Sequence, residues 1–214
     1  MTTLRSLIFL NCLIITFMFG IEIKGFCQYD KNAPPPLNEF TASLNRYILY
    51  GDKGNFEAKI GFGVGIYRSW FEQKRVNLIA GISYNNYLGF SKSYYYLESD
   101  PGDFFKDAKY KLHNLSIPVS VRFNVGKFIK YFMELGFYFN YNIHESVKGL
   151  KDSKFVKKSS SPAELPIDTG CIGGIGLKIP LKKNGLIIKT YYNQSVIIGR
   201  SIGVINLSFG YQLL

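Results

Sequence analysis

Between Asn114 and Asn142 the chain alternates so regularly that few folds can accommodate it. Successive side chains on a strand point to opposite faces. Leu115, Ile117, Val119, Val121, Phe123 and Val125 therefore share one face, and Asn114, Ser116, Pro118, Ser120, Arg122 and Asn124 share the other. After Gly126 to Lys130 the pattern resumes: Tyr131, Met133, Leu135, Phe137, Phe139, Tyr141 and Ile143 oppose Phe132, Glu134, Gly136, Tyr138, Asn140, Asn142 and His144. Two antiparallel strands joined by a tight connection follow from this.

The same period recurs along the chain. Phe56, Ala58, Ile60, Phe62, Val64, Ile66 and Trp70 form an apolar face broken only by Arg68. Weaker or comparable runs cover Val76 to Phe90, Ile167 to Ile179, Leu186 to Ile197 and Ile205 to Leu214. Links at Phe71 to Arg75, Gly126 to Lys130 and Lys182 to Gly185 are short, whereas Ser91 to Lys111 and Ser146 to Pro166 read as long loops. Short turns on one side and long loops on the other, with an even strand number, are the pattern of outer-membrane barrels. An even count promotes the weak candidate Leu44 to Tyr50 to first strand. The expected fold is all-β, an eight-stranded antiparallel up-and-down transmembrane β-barrel over residues 42–214.

Alternation also describes a soluble barrel, with its apolar set turned inward. The nearly unbroken apolar faces, the aromatics at their ends (Trp70, Tyr84, Phe90, Tyr131, Tyr141, Tyr211) and the Gly, Ser and Asn content of the polar faces favour the inverted arrangement. Aromatic residues make up 16%, nearly all Tyr and Phe, which suits strands better than helices. After the N-terminus no apolar run approaches the roughly 18 residues a membrane helix needs.

Residues 1–27 read as a secretory signal peptide: Arg5, an apolar run from Leu7 to Ile21, then Gly25-Phe26-Cys27. Residues 28–41, with Pro34 to Pro36, read as an extended lead-in. Cys12 and Cys27 would leave with the signal, so Cys171 remains and no intramolecular disulfide is expected. The net charge of +11 would fall by one. In an exported chain that charge suits anionic lipid head groups or surface polysaccharide rather than nucleic acid.

An eight-stranded barrel is just wide enough for side chains to fill. Counting across Gly126 to Lys130 sets Arg122 opposite Glu134, and counting across Lys182 to Gly185 sets Lys178 opposite Lys189. The expectation is a lumenal, structural charge network of Lys59, Arg122, Glu134, Lys178 and Lys189, with Glu57, Asp168 or Glu134 available across the barrel to offset the two lysines. At the outer rim the same counting puts His144 beside Leu112. Nucleophile, base and orienter types meet there in Ser146, His144 and Glu145, but adjacency turns Glu145 to the opposite face. No catalytic residue, metal site or cofactor is expected: ligand spacing is absent, and Gly173-Gly174-Ile175-Gly176 lies in a strand with no helix after it. Tyr94, Tyr95, Tyr96, Phe104 and Phe105 offer aromatic contact area in the first long loop.

Leu115-Ser116-Ile117-Pro118-Val119, then Phe123-Asn124-Val125-Gly126 and Glu134-Leu135-Gly136, resemble the central hairpin of the PorT-like outer-membrane β-barrel proteins of Bacteroidetes. Gly174-Ile175-Gly176-Leu177-Lys178 and Tyr191-Tyr192-Asn193-Gln194-Ser195 are similar to that family's sixth and seventh strands. The resemblance implies an eight-stranded barrel without enzymatic activity, and one branch of the family supports protein secretion. The expected role is structural or interactive, in contact with outer-membrane lipid and, through the loops, with other envelope proteins. Ligand binding or transport inside the barrel and a lipid-modifying rim enzyme are the alternatives.

Overall fold

The computed structural model describes residues 37–50, 56–71, 75–96, 103–163, 166–181, 184–195 and 201–213. The signal peptide assigned to residues 1–27 lies outside them. Nine strands follow in order: β1 (Leu37–Tyr50), β2 (Phe56–Trp70), β3 (Val76–Tyr96), β4 (Asp103–Val125), β5 (Lys130–Lys151), β6 (Lys154–Ser160), β7 (Ile167–Leu181), β8 (Asn184–Ser195) and β9 (Ser201–Leu213). Their order in the sheet is β4-β3-β2-β1-β9-β8-β7-β5-β6, and a further β4–β5 pairing closes it. All pairings are antiparallel. The result is a closed eight-stranded barrel, with β6 as an extra strand on the outer half of β5. Closure removes the sheet edges within the wall, as a membrane span requires.

The wall is turned inside out relative to a soluble barrel. Phe62, Val64 and Ile66 are 50%, 52% and 52% exposed, while Gly61, Gly63 and Gly65 between them are buried. Phe137 is 70% exposed. Asn45, Asn77, Asn114, Ser120 and Asn206 are buried inside. This is the alternation of a transmembrane barrel, apolar outward and polar inward.

Three expectations about element boundaries need correction. The extended lead-in assigned to residues 28–41 is too long, because β1 begins at Leu37 and its first residues already pair with β2 and β9. The supposed loops Ser91 to Lys111 and Ser146 to Pro166 are largely strand: β3 and β4 pair as far as Tyr96 and Asp103, and β5 turns back into β6. They escaped the period-two reading because the lipid belt ends there, and with it the rule that apolar means outward. Finally, the β7–β8 connection is shorter than expected, with Leu181 opposite Asn184. That moves Lys178 opposite Ile187 and Lys189 opposite Gly176, so the expected Lys178–Lys189 pair does not form.

The β4–β5 register agrees with the count from Val125↔Tyr131 to Asn114↔Asn142, including Arg122↔Glu134. A one-residue shift at His113/Asn114 then puts His144 opposite His113 instead of Leu112. At the connection itself, Gly126 adopts φ +113°, a conformation that a side chain would strain.

Candidate functional site

Two parts of the molecule gather polar and aromatic side chains: the centre of the lumen and the hairpins that rise above the lipid belt. In the centre, inward positions of β1, β4, β5 and β8 bring together Glu39, Arg122, Glu134 and Lys189. All four are nearly inaccessible. Arg122 donates through Nε and Nη2 to Glu134 Oε2, at 3.2 and 3.0 Å, and through Nη2 to Glu39 Oε2 at 3.1 Å. Lys189 Nζ lies 3.1 Å from Glu39 Oε1 and 4.0 Å from Glu134 Oε2. Ser120 Oγ donates to the remaining Glu134 oxygen at 2.8 Å.

Aromatic rings cover the two cations. The Arg122 guanidinium lies 4.2 Å from the Phe132 ring centre, and Lys189 Nζ lies 4.6 Å from that of Tyr67. Gly176 leaves the room this requires: a Cβ there would fall 2.8 Å from Lys189 Cβ and against Phe132 Cζ. Two carboxylates and two cations balance, so the cluster is formally neutral. Because its members come from both sides of the barrel, the cluster braces the wall across its diameter. Removing one partner from a buried ion group leaves an uncompensated charge, at a cost of about 3–5 kcal/mol.

Of the residues expected in this network, Arg122, Glu134 and Lys189 come together. Lys178 is buried on the same inward face but sits nearer the β7–β8 turn, its side chain against Gly185. Lys59 does not join them. It lies near the outer end of β2, where the β2–β3 register shifts, and forms an exposed 3.7 Å pair with Glu57. Glu39 was missed because it sits in the stretch assigned to the lead-in. Its signal was present: Glu39, Ser43 and Asn45 oppose Phe40, Ala42 and Leu44. Asp168, offered as a counterion, instead accepts from Ser195 Oγ at 2.6 Å, Asn140 Nδ2 at 3.2 Å and Tyr138 OH at 3.3 Å.

Above this centre the lumen changes character. Tyr47, Tyr87, Phe105, Ala108, Tyr110, Leu112, Val147, Ala163 and Val204 form a buried apolar cluster. The Tyr47 ring lies 5.5 Å from Tyr87 and 6.0 Å from Tyr110. Among the described residues, the two best-formed pockets of the lumen hold about 10 Å³ and 30 Å³, room for a water or two.

The hairpin residues divide accordingly. Phe105 is fully buried in the apolar cluster, which corrects its assignment as contact surface, whereas Phe104 is 49% exposed. The backbones of Tyr94 and Tyr95 pair with Phe105 and Phe104, and that of Tyr96 with Asp103. The three tyrosine side chains lie outside the described residues. At the rim, the His113 and His144 rings meet at a tilt of 48° with centres 5.9 Å apart, and the Tyr84 hydroxyl bonds His113 Nδ1. Glu145 is buried, facing inward, so it cannot orient His144 toward Ser146. Among the described residues, no group of His, Cys, Asp and Glu is arranged to hold a metal.

Wall and filled lumen define a transmembrane β-barrel whose axis is occupied by its own side chains. The chain belongs to the outer membrane protein β-barrel domain family, which it matches over residues 38–197. Membership puts it in the outer membrane. Among solved structures it is similar to Ail, the attachment invasion locus protein of Yersinia pestis, at 16% identity over 83% of this chain and 97% of that one (TM-score 0.43). Neisserial surface protein A is 12% identical over 85% and 98% (TM-score 0.47). OprG from Pseudomonas aeruginosa is 10% identical over 85% and 97% (TM-score 0.47). No curated protein matches the sequence.

Proposed function

We propose that this protein is a non-enzymatic scaffold of the outer membrane, whose braced barrel holds two external hairpins, β3–β4 and β5–β6, for contact with lipid and with other envelope proteins. The observation that carries this reading is the filled lumen. Cavities of about 10 and 30 Å³ cannot house a small-molecule ligand, for which pockets of roughly 300 Å³ or more are usual. The inward burial of Glu145, away from His144 and Ser146, weighs against a rim hydrolase.

Three measurements test the proposal together. The protein should fractionate with the outer membrane and shift its gel mobility on heating. It should show no ion conductance in planar bilayers. Replacing His144 should leave lipid A and phospholipid composition unchanged. Recovery as a soluble periplasmic monomer, steady single-channel steps, or a changed lipid profile would each refute it. The PorT-like resemblance adds support of protein secretion as one envelope role to examine, by comparing exported proteins with and without the gene.

A further inference from the structure

On β4, β5 and β6 the outward face above the His113–His144 pair is cationic. Lys109 pairs directly with Lys148, and Lys148 directly with Lys157, so three lysines form one row across three strands. All three are exposed. The next row toward the membrane is Lys111, Ser146 and Ser159, and the next row away from it is Lys106, Leu150 and Phe155. Like charges directly opposite each other on neighbouring strands are unfavourable. A sheet that keeps three in register gains from an anion laid across them. Among the described residues, Asp107, in the adjoining bulge, and Asp152, in the β5–β6 turn, are the nearby exposed acids on these hairpins, and neither belongs to the row.

Position names the anion. The row stands beyond the outward apolar series Phe123, Val121, Val119, Ile117 and Leu115 on β4 and Met133, Leu135, Phe137, Phe139 and Tyr141 on β5, separated from it on the same outward face by the His113–His144 and Lys111–Ser146 rows. A lipid whose acyl chains lie along that series brings its head group to the lysines, with Ser146 and Ser159 as hydroxyl donors below. We infer that Lys109, Lys148 and Lys157, with Lys111, Ser146 and Ser159, form a binding shelf for the phosphate groups of an outer-leaflet glycolipid. Lysine ammonium groups are compact point charges suited to phosphate, and attraction of basic residues to anionic membrane surfaces is additive per residue. The shelf rests on the outer-membrane reading given above and names the lipid partner of the β5–β6 hairpin.

The test uses the full-length protein in phosphatidylcholine nanodiscs, with bisphosphorylated lipid A, its dephosphorylated form and inorganic phosphate as separate probes. Wild type should retain bisphosphorylated lipid A, and the triple variant K109Q/K148Q/K157Q should bind it roughly a hundredfold more weakly. Lys148→Gln alone should fall in between, which keeps the test decisive if the triple variant folds poorly. Lys127→Gln, an equal charge change at the β4–β5 turn on the other side of the membrane, should bind as wild type. The shelf is overturned if the row variants bind unchanged, if Lys127→Gln loses as much, or if dephosphorylated lipid binds equally well. Inorganic phosphate held as tightly as the lipid would likewise overturn the lipid assignment. Heat-modifiable mobility is followed for each variant: loss of lipid with the barrel intact concerns the shelf, whereas loss of the barrel concerns the scaffold itself.

Discussion

The lower and upper parts of this lumen solve one packing problem with opposite chemistry. Below, where β1, β4, β5 and β8 face lipid, the interior is ionic and built on Glu39, Arg122, Glu134 and Lys189. Above, where β3 to β6 rise from the belt, the interior is apolar, built on Tyr47, Tyr87, Phe105, Tyr110 and Val147. The outward faces reverse at the same level, from Val119 and Phe137 to Lys109 and Lys148. One strand can therefore be a membrane strand at one end and a soluble-type strand at the other. What decides is the solvent outside. Lipid takes the apolar face and leaves polar residues for the interior, whereas water takes the polar face and returns the interior to apolar packing.

The ionic part is where the comparison can be broken hardest. Arg122→Ala leaves Glu39 and Glu134 sharing Lys189, and should lower stability by about 3–5 kcal/mol, read as the urea midpoint of the heat-modifiable band. A loss below about 1 kcal/mol, the size expected of an exposed pair, would mean the cluster is wetter than its burial implies. The outward face comes next. Phe137→Lys, near the middle of the belt, should cost about 2–4 kcal/mol in lipid bilayers. The converse change above the boundary, Lys109→Leu, should leave the midpoint nearly unmoved; equal penalties at the two sites would erase the boundary.

The apolar part should respond locally. Phe105→Leu opens space in the upper cluster at about 1–2 kcal/mol, seen as faster hydrogen exchange in β5 residues 146–151 and in β6. If the whole barrel midpoint falls instead, the two parts unfold as one unit. The smallest effect belongs to the boundary. Tyr84→Phe removes the hydroxyl bonded to His113 and should cost about 0.5–1.5 kcal/mol, with a change in the His113 ring signals by NMR.

Much of the barrel was legible because an eight-stranded wall in lipid imposes period two on nearly every residue. Phe62, Val121 and Phe137 turn outward for the reason their alternation implied. The Arg122–Glu134 register was countable because the β4–β5 turn is tight and free of bulges. Counting failed wherever a strand gained or lost a residue: at His113/Asn114, where a one-residue shift brings His144 to His113, and at Leu181↔Asn184, where a shorter turn separates Lys178 from Lys189. The hairpins above the belt were hidden for a different reason. Tyr110, Ala108 and Phe105 look like loop aromatics and small residues if apolar always means outward, and become a core once the sign is reversed.

Local sequence by itself determined which residues alternate and therefore which share a face, because the pleat of a strand is an intrinsic property of the backbone. Only the closed tertiary structure decided which distant faces meet. Glu39 reaches Arg122 across the lumen, and Lys189 reaches Glu39 from β8, because curvature brings together strands that lie apart along the sheet. A burial partner chosen by barrel closure leaves no periodic trace in the chain, whereas one chosen by the pleat does.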